Sequence, residues 1–377
     1  MGAPDLSSAS FWHSPEPHLM INPLRPQEAE GLAEFVGPGD WCLVQTSGTE
    51  GRPKWVALTK RAMLIAAEAA NVHLEGISGD RWLVALPTHH VGGFSIFARA
   101  FVSGAGVVRM EGRWEAARFA ETCAREAITL TSLVPAQVFD LVREKLHAPD
   151  GLRAIVVGGG SLSAEVGHAA HELGWKVLQS FGMSEACSQV ATEPLDHLYS
   201  GFDPECLEVL PHWQAATDAE GHLILRGPAL AKGYVLRDAN DQWCWQPVDP
   251  EQGLTTRDHV SLWDHGTRRF LRFAGRDSQA LKILGELVHL GPLQARLDAL
   301  LMATGKAVIV PMPDERKGTT LVLATADGGV DGVIQRFNAT VAPYERIERA
   351  VCVEHIPLTD LGKVRMAELE RMVLEAG

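Results

Sequence analysis

The segment Thr46-Ser47-Gly48-Thr49-Glu50-Gly51-Arg52-Pro53-Lys54 lies between two apolar runs, WCLVQT entering it and KWVAL leaving it. Three hydroxyls, two glycines and one lysine fall within these nine residues. Glycines let backbone N–H groups wrap an anion, hydroxyls donate to phosphate oxygens, and a lysine adds positive charge. A Walker A loop would read GxxxxGK[ST] and run straight into a helix. Here Pro53 precedes the lysine and a β-like run follows, so the segment is not that loop. Two readings stand: a phosphate-holding loop of another kind, or a polar hairpin turn.

Working outward, residues from Trp41 to about Phe181 alternate short apolar runs with amphipathic stretches. WCLVQT, RWLVALP, ITLTSLV, LRAIVV and KVLQSF read as buried strands. TKRAMLIAAEAANVHL, RWEAARFAETCARE, AQVFDLVREKL and SAEVGHAAHEL read as helices, with Thr59 and Ser163 at N-cap positions. This alternation predicts an α/β fold, a layered domain on a largely parallel sheet. Upstream, residues 1–40 read as an irregular lead-in with one helix near Gln27–Phe35. After Phe181, the runs HLILRG, GYVL, HVSLW and RRFLRF predict a small β subdomain. From about Ser278, strands and helices alternate again, which suits a small, separate α+β domain. The expected division is 1–277 and 278–377.

Composition narrows the function. The 377 residues carry 34 Lys+Arg and 47 Asp+Glu, a formal charge of −13. That charge opposes nucleic-acid binding and docking on anionic membrane. The six cysteines are scattered with no CxxC pair, which indicates reduced thiols in a cytoplasmic protein rather than disulfides or a thiolate metal site. The first residues lack a basic region and an apolar core, so no signal peptide is expected. No apolar run approaches the ~18 residues of a membrane helix.

The Thr46–Lys54 string resembles the phosphate loop of the adenylate-forming superfamily, which includes the acyl-CoA synthetases and luciferases, and further motifs follow in that family's order. Leu86-Pro-Thr-His-His-Val-Gly-Gly93 is similar to LPxxHxxG, with His90 at the matching place. Ile155–Ser161 resembles the glycine loop, and Phe181-Gly-Met-Ser-Glu185 resembles YGxTE. Gly227–Tyr234 resembles the segment before the ribose motif. Thr256-Arg-Asp258 stands where TGD is usual. Gly275-Arg276 with Leu281–Val288 resembles GRxDDxIKxxGExV, and Pro357–Arg365 resembles PxTxxGKxxR. Within the family the compact o-succinylbenzoate–CoA ligases are the nearest in pattern, through the early phosphate loop and the string Ser132–Gln137. Phe181 replaces the usual tyrosine, and Ser278 stands where a hinge acid is expected.

The resemblance implies an ATP-dependent acid–CoA ligase with small-molecule partners: a carboxylic acid, ATP with Mg²⁺, and coenzyme A. Thr46, Ser47, Gly48, Thr49, Gly51 and Lys54 would hold phosphates, and Glu185 with Thr49 would bind Mg²⁺. Phe181, with Gly182 and Ser184 beside it, would stack on adenine. Gly159 and Gly160 would line the pocket with Ser132 and Gln137. Asp258 would accept from ribose hydroxyls, and Arg276 would contact ribose or phosphate. Lys363 would bridge the attacking carboxylate and the α-phosphate, and Lys282 with Glu286 would face the cleft in the second half-reaction. His90 would gate the pocket or hydrogen-bond the substrate carboxylate, the competing reading being a core histidine satisfied by backbone; His89 and His90 on an extended segment should point oppositely. His168 and His171 read as a solvated helix face. Neither a monomer nor a homo-oligomer is specified.

Two other readings compete. Gly182-Met-Ser184-Glu-Ala186 nearly matches the GxSxG nucleophile elbow, with Asp258 and His355 following in triad order. That leaves Lys54 and Lys363 without a role. The other is a non-catalytic nucleotide-binding homologue.

Overall fold

The computed structural model describes residues 4–23, 26–47, 53–276, 280–283, 286–301, 307–314, 318–326, 330–359 and 363–376. Strand Val177–Met183 lies inside an eleven-stranded sheet, with four strands on one side of it and six on the other. On one side of it, Ala154–Val157, Leu130–Leu133, Arg81–Val84 and Gly106–Arg109 follow in parallel. Every residue of Ala154–Val157 and Leu130–Leu133 is buried, the pattern of strands covered on both faces by helices. On the other side the sheet turns antiparallel through Ser188–Thr192, Leu207–Val209, Arg268–Arg276, Leu254–His265, His222–Arg226 and Gln214–Thr217. Val177–Met183 therefore ends where the sheet changes sense, a place where open α/β sheets present ligand sites.

A second, five-stranded sheet orders His18–Met20, Trp41–Ser47, Pro53–Thr59, Gly233–Arg237 and Trp243–Pro247. Tyr234 thereby stands opposite Val56, although the two are far apart in sequence.

The four amphipathic helices form as read, as Lys60–His73, Ala116–Arg125, Pro135–Arg143 and Ala164–Glu172. Thr59 and Ser163 cap two of them by accepting from Ala62 N–H (3.0 Å) and Val166 N–H (3.3 Å). A further helix, Val91–Ser103, has no counterpart in the sequence reading. Its residues Gly93 through Ala100 are all buried, so it carries no polar stripe to mark a helical period. Phe94 and Phe97 from it pack into one core with Trp12, Met63 and Trp82. A second core gathers Phe119, Leu141 and Trp175 beneath the other helices.

The C-terminal residues build their own structure. Ala280–Ile283 and Glu286–His289 form a hairpin, and Ala307–Asp314, Gly318–Thr325 and Ile347–Cys352 form a three-stranded sheet. Their cores, around Leu297, Leu321 and Phe337 and around Val310, Leu369 and Val373, draw on no described residue before Leu281. Among the described residues, no helix is long and apolar enough to cross a membrane.

Candidate active site

Trp41–Ser47 and Pro53–Thr59 pair antiparallel, with Thr46 opposite Lys54 and Ser47 opposite Pro53. The Thr46 hydroxyl donates to the Lys54 carbonyl at 3.4 Å. The two ends of the motif, Thr46-Ser47 and Pro53-Lys54, thus lie side by side on paired strands. Gly48, Thr49 and Gly51 lie outside the described residues, as does the Ser47 side chain.

Glu185 follows the strand Val177–Met183 on a short turn, Ser184–Ala186. Its carbonyl accepts from Ala231 N–H at 2.8 Å. Its Oε1 accepts from Lys54 Nζ at 3.3 Å and from the Tyr234 hydroxyl at 3.2 Å. Lys54 Nζ stands 3.9 Å above the Tyr234 ring centroid. Burial, then the Glu185 charge, pushes the Tyr234 phenol well above its ordinary pKa, so it stays a donor. Oε2 of Glu185 has no protein donor among the described residues. One hard anionic oxygen is thus left for a hard cation, which is the chemistry Mg²⁺ requires.

The turn is tightly built. Cys187 and Ser188 adopt left-handed φ values of 55° and 112°. Before them, a Cβ on Gly182 would stand 1.8 Å from the Ser188 carbonyl oxygen, so only glycine fits. A hydrolase elbow puts its strain on the nucleophile. Here the strain falls three residues beyond Ser184, Asp258 is paired with arginine, and His355 is exposed.

Strand Ala154–Val157 runs into Gly158-Gly159-Gly160, where Gly159 has φ +79°. The buried Gln179 side chain fixes this loop, donating to the Gly160 carbonyl (3.1 Å) and accepting from Leu162 N–H (2.8 Å). Gln179 N–H in turn donates to the fully buried Glu193 at 2.5 Å. Burial raises the Glu193 pKa, partly offset by the N–H groups of Gln179 and Asp203 and by His197. Neither residue belongs to a motif in the sequence reading. The one hint was a polar residue inside the buried run KVLQSF.

Phe181, the expected adenine platform, stacks on Phe273 with centroids 5.5 Å apart. Asp258 is buried and faces Arg276 across adjacent strands, with Arg276 Nε 3.2 Å from Oδ1.

Lys363, from the C-terminal region, reaches the Gly159 loop. Thr359 and Lys363 hold each other: Thr359 N–H donates to the Lys363 carbonyl (2.7 Å), and Lys363 N–H donates to the Thr359 hydroxyl (3.1 Å). Lys363 Cε lies 3.7 Å from the position of a Cβ on Gly159. The side chain keeps contact with solvent. Even so, desolvation and then the Arg276 charge lower its pKa below the usual lysine value. A second cation close by makes this an anion-seeking site. Lys282 and Glu286 lie in the hairpin strands, with side chains outside the described set.

The histidines correct the sequence reading. His90 has the expected extended backbone (φ −106°, ψ 144°), but it is the N-cap of Val91–Ser103 and closes a turn in which its N–H donates to the Pro87 carbonyl at 3.2 Å. His89 and His90 therefore bring their rings together, 4.4 Å between centroids, instead of pointing apart. His171 is not on a solvated face; its Nε2 bonds the Val177 carbonyl at 2.9 Å and its ring abuts Phe202. His168 is exposed as expected.

The missed helix also carries Arg99. Its side chain is 2 % exposed and lies over Trp82, with Nη1 3.4 Å from the Ser132 hydroxyl. Burial brings its pKa down to about 10. No carboxylate of the described residues pairs with it. Gln137, expected in the acid pocket, instead accepts from Val134 N–H at 3.0 Å and caps its own helix.

The sequence profile of the AMP-binding enzyme family matches residues 21–235, more than half of the chain. The chain belongs to that family. It is 30% identical over 339 residues to a 2-succinylbenzoate–CoA ligase of Bacillus subtilis (strain 168), covering 86% of this chain and 62% of that one. It is 26% identical over 366 residues to the ligase of the same name from Bacillus cereus (strain ATCC 10987 / NRS 248), covering 93% and 73%. It thus spans less than two thirds of the length of the Bacillus subtilis relative. Among solved structures it is similar in fold to o-succinylbenzoate coenzyme A synthetase of Bacillus subtilis in complex with ATP and magnesium ion. The TM-score is 0.72 at 23% identity, over 87% of this chain and 69% of that one.

Proposed function

We propose that this protein adenylates a carboxylic acid with ATP and transfers the acyl group to coenzyme A, and that the acid is 2-succinylbenzoate or a close aryl diacid. The observation that carries this is a chain of neighbours: Lys363 lies beside the Gly159 loop and feels the Arg276 charge, Arg276 also acts on Tyr234, and Tyr234 bonds the Glu185 that pairs with Lys54. A carboxylate and a triphosphate repel each other, so bringing them together needs cations on several sides. Lys54 and Arg276 suit the phosphates. Lys363 suits the α-phosphate and the incoming carboxylate. Asp258 suits ribose hydroxyls and Phe181 the adenine face. Glu185 would hold Mg²⁺, which supplies screening of the phosphate charge.

In the first step a carboxylate oxygen attacks the α-phosphorus, and the bond to the bridging oxygen breaks, releasing pyrophosphate. In the second, the deprotonated coenzyme A thiol attacks the acyl carbon, and AMP leaves with that same carboxylate oxygen. We place the boundary between the two domains near residues 277–278, so that the second domain can withdraw Lys363 and present Lys282 and Glu286 for thiol attack. The relatives named above support the choice of acid. So does Arg99, a buried guanidinium without an acidic partner in a wall that includes Ser132. A buried cation of this kind suits the second carboxylate of a diacid. Pyrophosphate release across an acid panel, with and without coenzyme A, tests the reading. Release with 2-succinylbenzoate above all other acids supports it. Neither pyrophosphate release nor ATP binding with any acid overturns it.

A further inference from the structure

Lys54, Glu185 and Tyr234 come from a hairpin, a short turn and a separate strand, yet they close into one three-way contact. Tyr234 is placed by its strand: Gly233–Arg237 pairs with Pro53–Thr59, Tyr234 opposite Val56. Lys54 lies two residues from Val56 and so shares its face of the sheet. The ring then lies under Lys54 Nζ at 3.9 Å while the hydroxyl donates to Glu185 Oε1 at 3.2 Å. The same Oε1 takes Lys54 Nζ at 3.3 Å. Resting on the functional reading above, we propose that Tyr234 is a positioning residue that prepares the Mg·ATP site.

Its two ends do separate work. Before nucleotide arrives, Lys54 and Glu185 neutralise each other. Binding Mg·ATP requires this pair to part, with Lys54 going to phosphate oxygens and Glu185 to the cation. With Lys54 as its sole donor the carboxylate would swing once released, and an ammonium without a second attraction would follow solvent; Tyr234 supplies the other contact to each. The phenol hydroxyl keeps Oε1 in place after Lys54 leaves, so that Oε2 stays aimed at the cleft. The ring face holds the ammonium near its post through the cation–π attraction. A phenol suits the first task because it is a neutral donor: it orients the carboxylate without cancelling the charge the cation needs. The sequence places Tyr234 in the motif run Gly227–Tyr234 but gives it no role.

Tyr234→Phe removes the hydroxyl and keeps the ring; Tyr234→Leu removes both. The assay is Mg·ATP binding without any acid, followed by calorimetry, with Mg²⁺ titrated at fixed ATP. Loss of a hydrogen bond to a charged group predicts a Mg²⁺ half-saturation about ten-fold higher in Tyr234→Phe, with the melting temperature of the free protein unchanged. Tyr234→Leu should weaken Mg·ATP further. In steady state the Phe variant should raise KM for Mg·ATP and leave kcat within about two-fold. Equal Mg·ATP affinity in wild type and Tyr234→Phe would overturn the proposal, as would loss of affinity only in step with loss of folded protein. Failure of the wild-type protein to bind Mg·ATP would sink the functional reading itself, which is a different result. The unmodified sequence gives a second readout, because it has only three tyrosines. In fluorotyrosine-labelled protein, the ¹⁹F resonance that disappears in Tyr234→Phe should move when Mg·ATP is added. A resonance that stays fixed at saturating nucleotide refutes the role.

Discussion

Replacing Lys363 with alanine should divide the reaction into its halves. Lys363 sits at the Gly159 loop with Arg276 close enough to lower its pKa. Two unit charges about 4 Å apart interact by about 4 kcal/mol at an effective dielectric of about 20. Lys363 keeps solvent contact, so the share felt in the transition state is nearer 3 kcal/mol, about 10²-fold in rate. Acyl-adenylate formation, measured by rapid quench of pyrophosphate, should fall by at least that factor in Lys363→Ala. Thioester formation from supplied acyl-adenylate should barely change. Proline at Ser278 should do the reverse, since a fixed φ at the boundary restricts rotation. The pH profile follows from the same geometry. Only the protonated amine stabilises the transition state, and the folded pKa lies below the usual lysine value. Adenylation should therefore decline on the alkaline side at a lower pH than an ordinary lysine would set, and Lys363→Arg should move that limb upward. Equal losses in both halves for Lys363→Ala would refute the division of labour.

Other outcomes follow from single contacts. Glu185→Gln keeps the shape and removes the charge, so the Mg²⁺ needed for half-maximal adenylation should rise at least ten-fold; unchanged Mg²⁺ dependence removes Glu185 from the metal site. Gly182→Ala puts a methyl 1.8 Å from the Ser188 oxygen and must move the turn that carries Glu185; it should lower the melting temperature and abolish ATP binding. Arg153 chelates the buried Asp80 with Nη1 at 2.7 and 2.6 Å from its two oxygens. Burial works to raise the Asp80 pKa, but Arg153, Ile77 N–H and Thr129 outweigh it and hold the pKa below normal. That stability is present above the unfolded carboxyl pKa of about 3.9 and is lost as pH falls through the folded value. Arg153→Leu should cost about 2–4 kcal/mol at pH 7 in urea unfolding, at the low end because Arg153 is 35% exposed, and less at pH 3.

The layered fold was legible where burial writes a pattern. Ala154–Val157 is an unbroken apolar run, Leu130–Leu133 is buried throughout with Thr131 and Ser132 between its leucines, and Thr59 and Ser163 announce their helices. The helix Val91–Ser103 escaped because it is buried all round, and Arg99 escaped with it. Its signals were the HHVGG entry and Gly104, which ends it at φ 71°. The proposed site residues Lys54, Glu185 and Lys363 stand out in the sequence as motifs, since each lies in a short string with its own backbone demand. Their contacts do not. Lys54 meets Tyr234 only because a distant strand completes the hairpin's sheet, and no local period encodes that pairing. The Gln179–Glu193 network was hidden for the same reason. Each is one polar residue in a buried strand or its exit, and its partners are backbone atoms elsewhere.

The central claim is that a carboxylate oxygen of the acid becomes bonded to the α-phosphorus of ATP. Turnover of 2-succinylbenzoate labelled with ¹⁸O in its carboxylates, with Mg·ATP and coenzyme A, reads this directly in the mass of the nucleotide released. The account predicts AMP two mass units heavier, carrying one ¹⁸O, together with unlabelled pyrophosphate. Unlabelled AMP, or label in inorganic phosphate beside ADP, would contradict it.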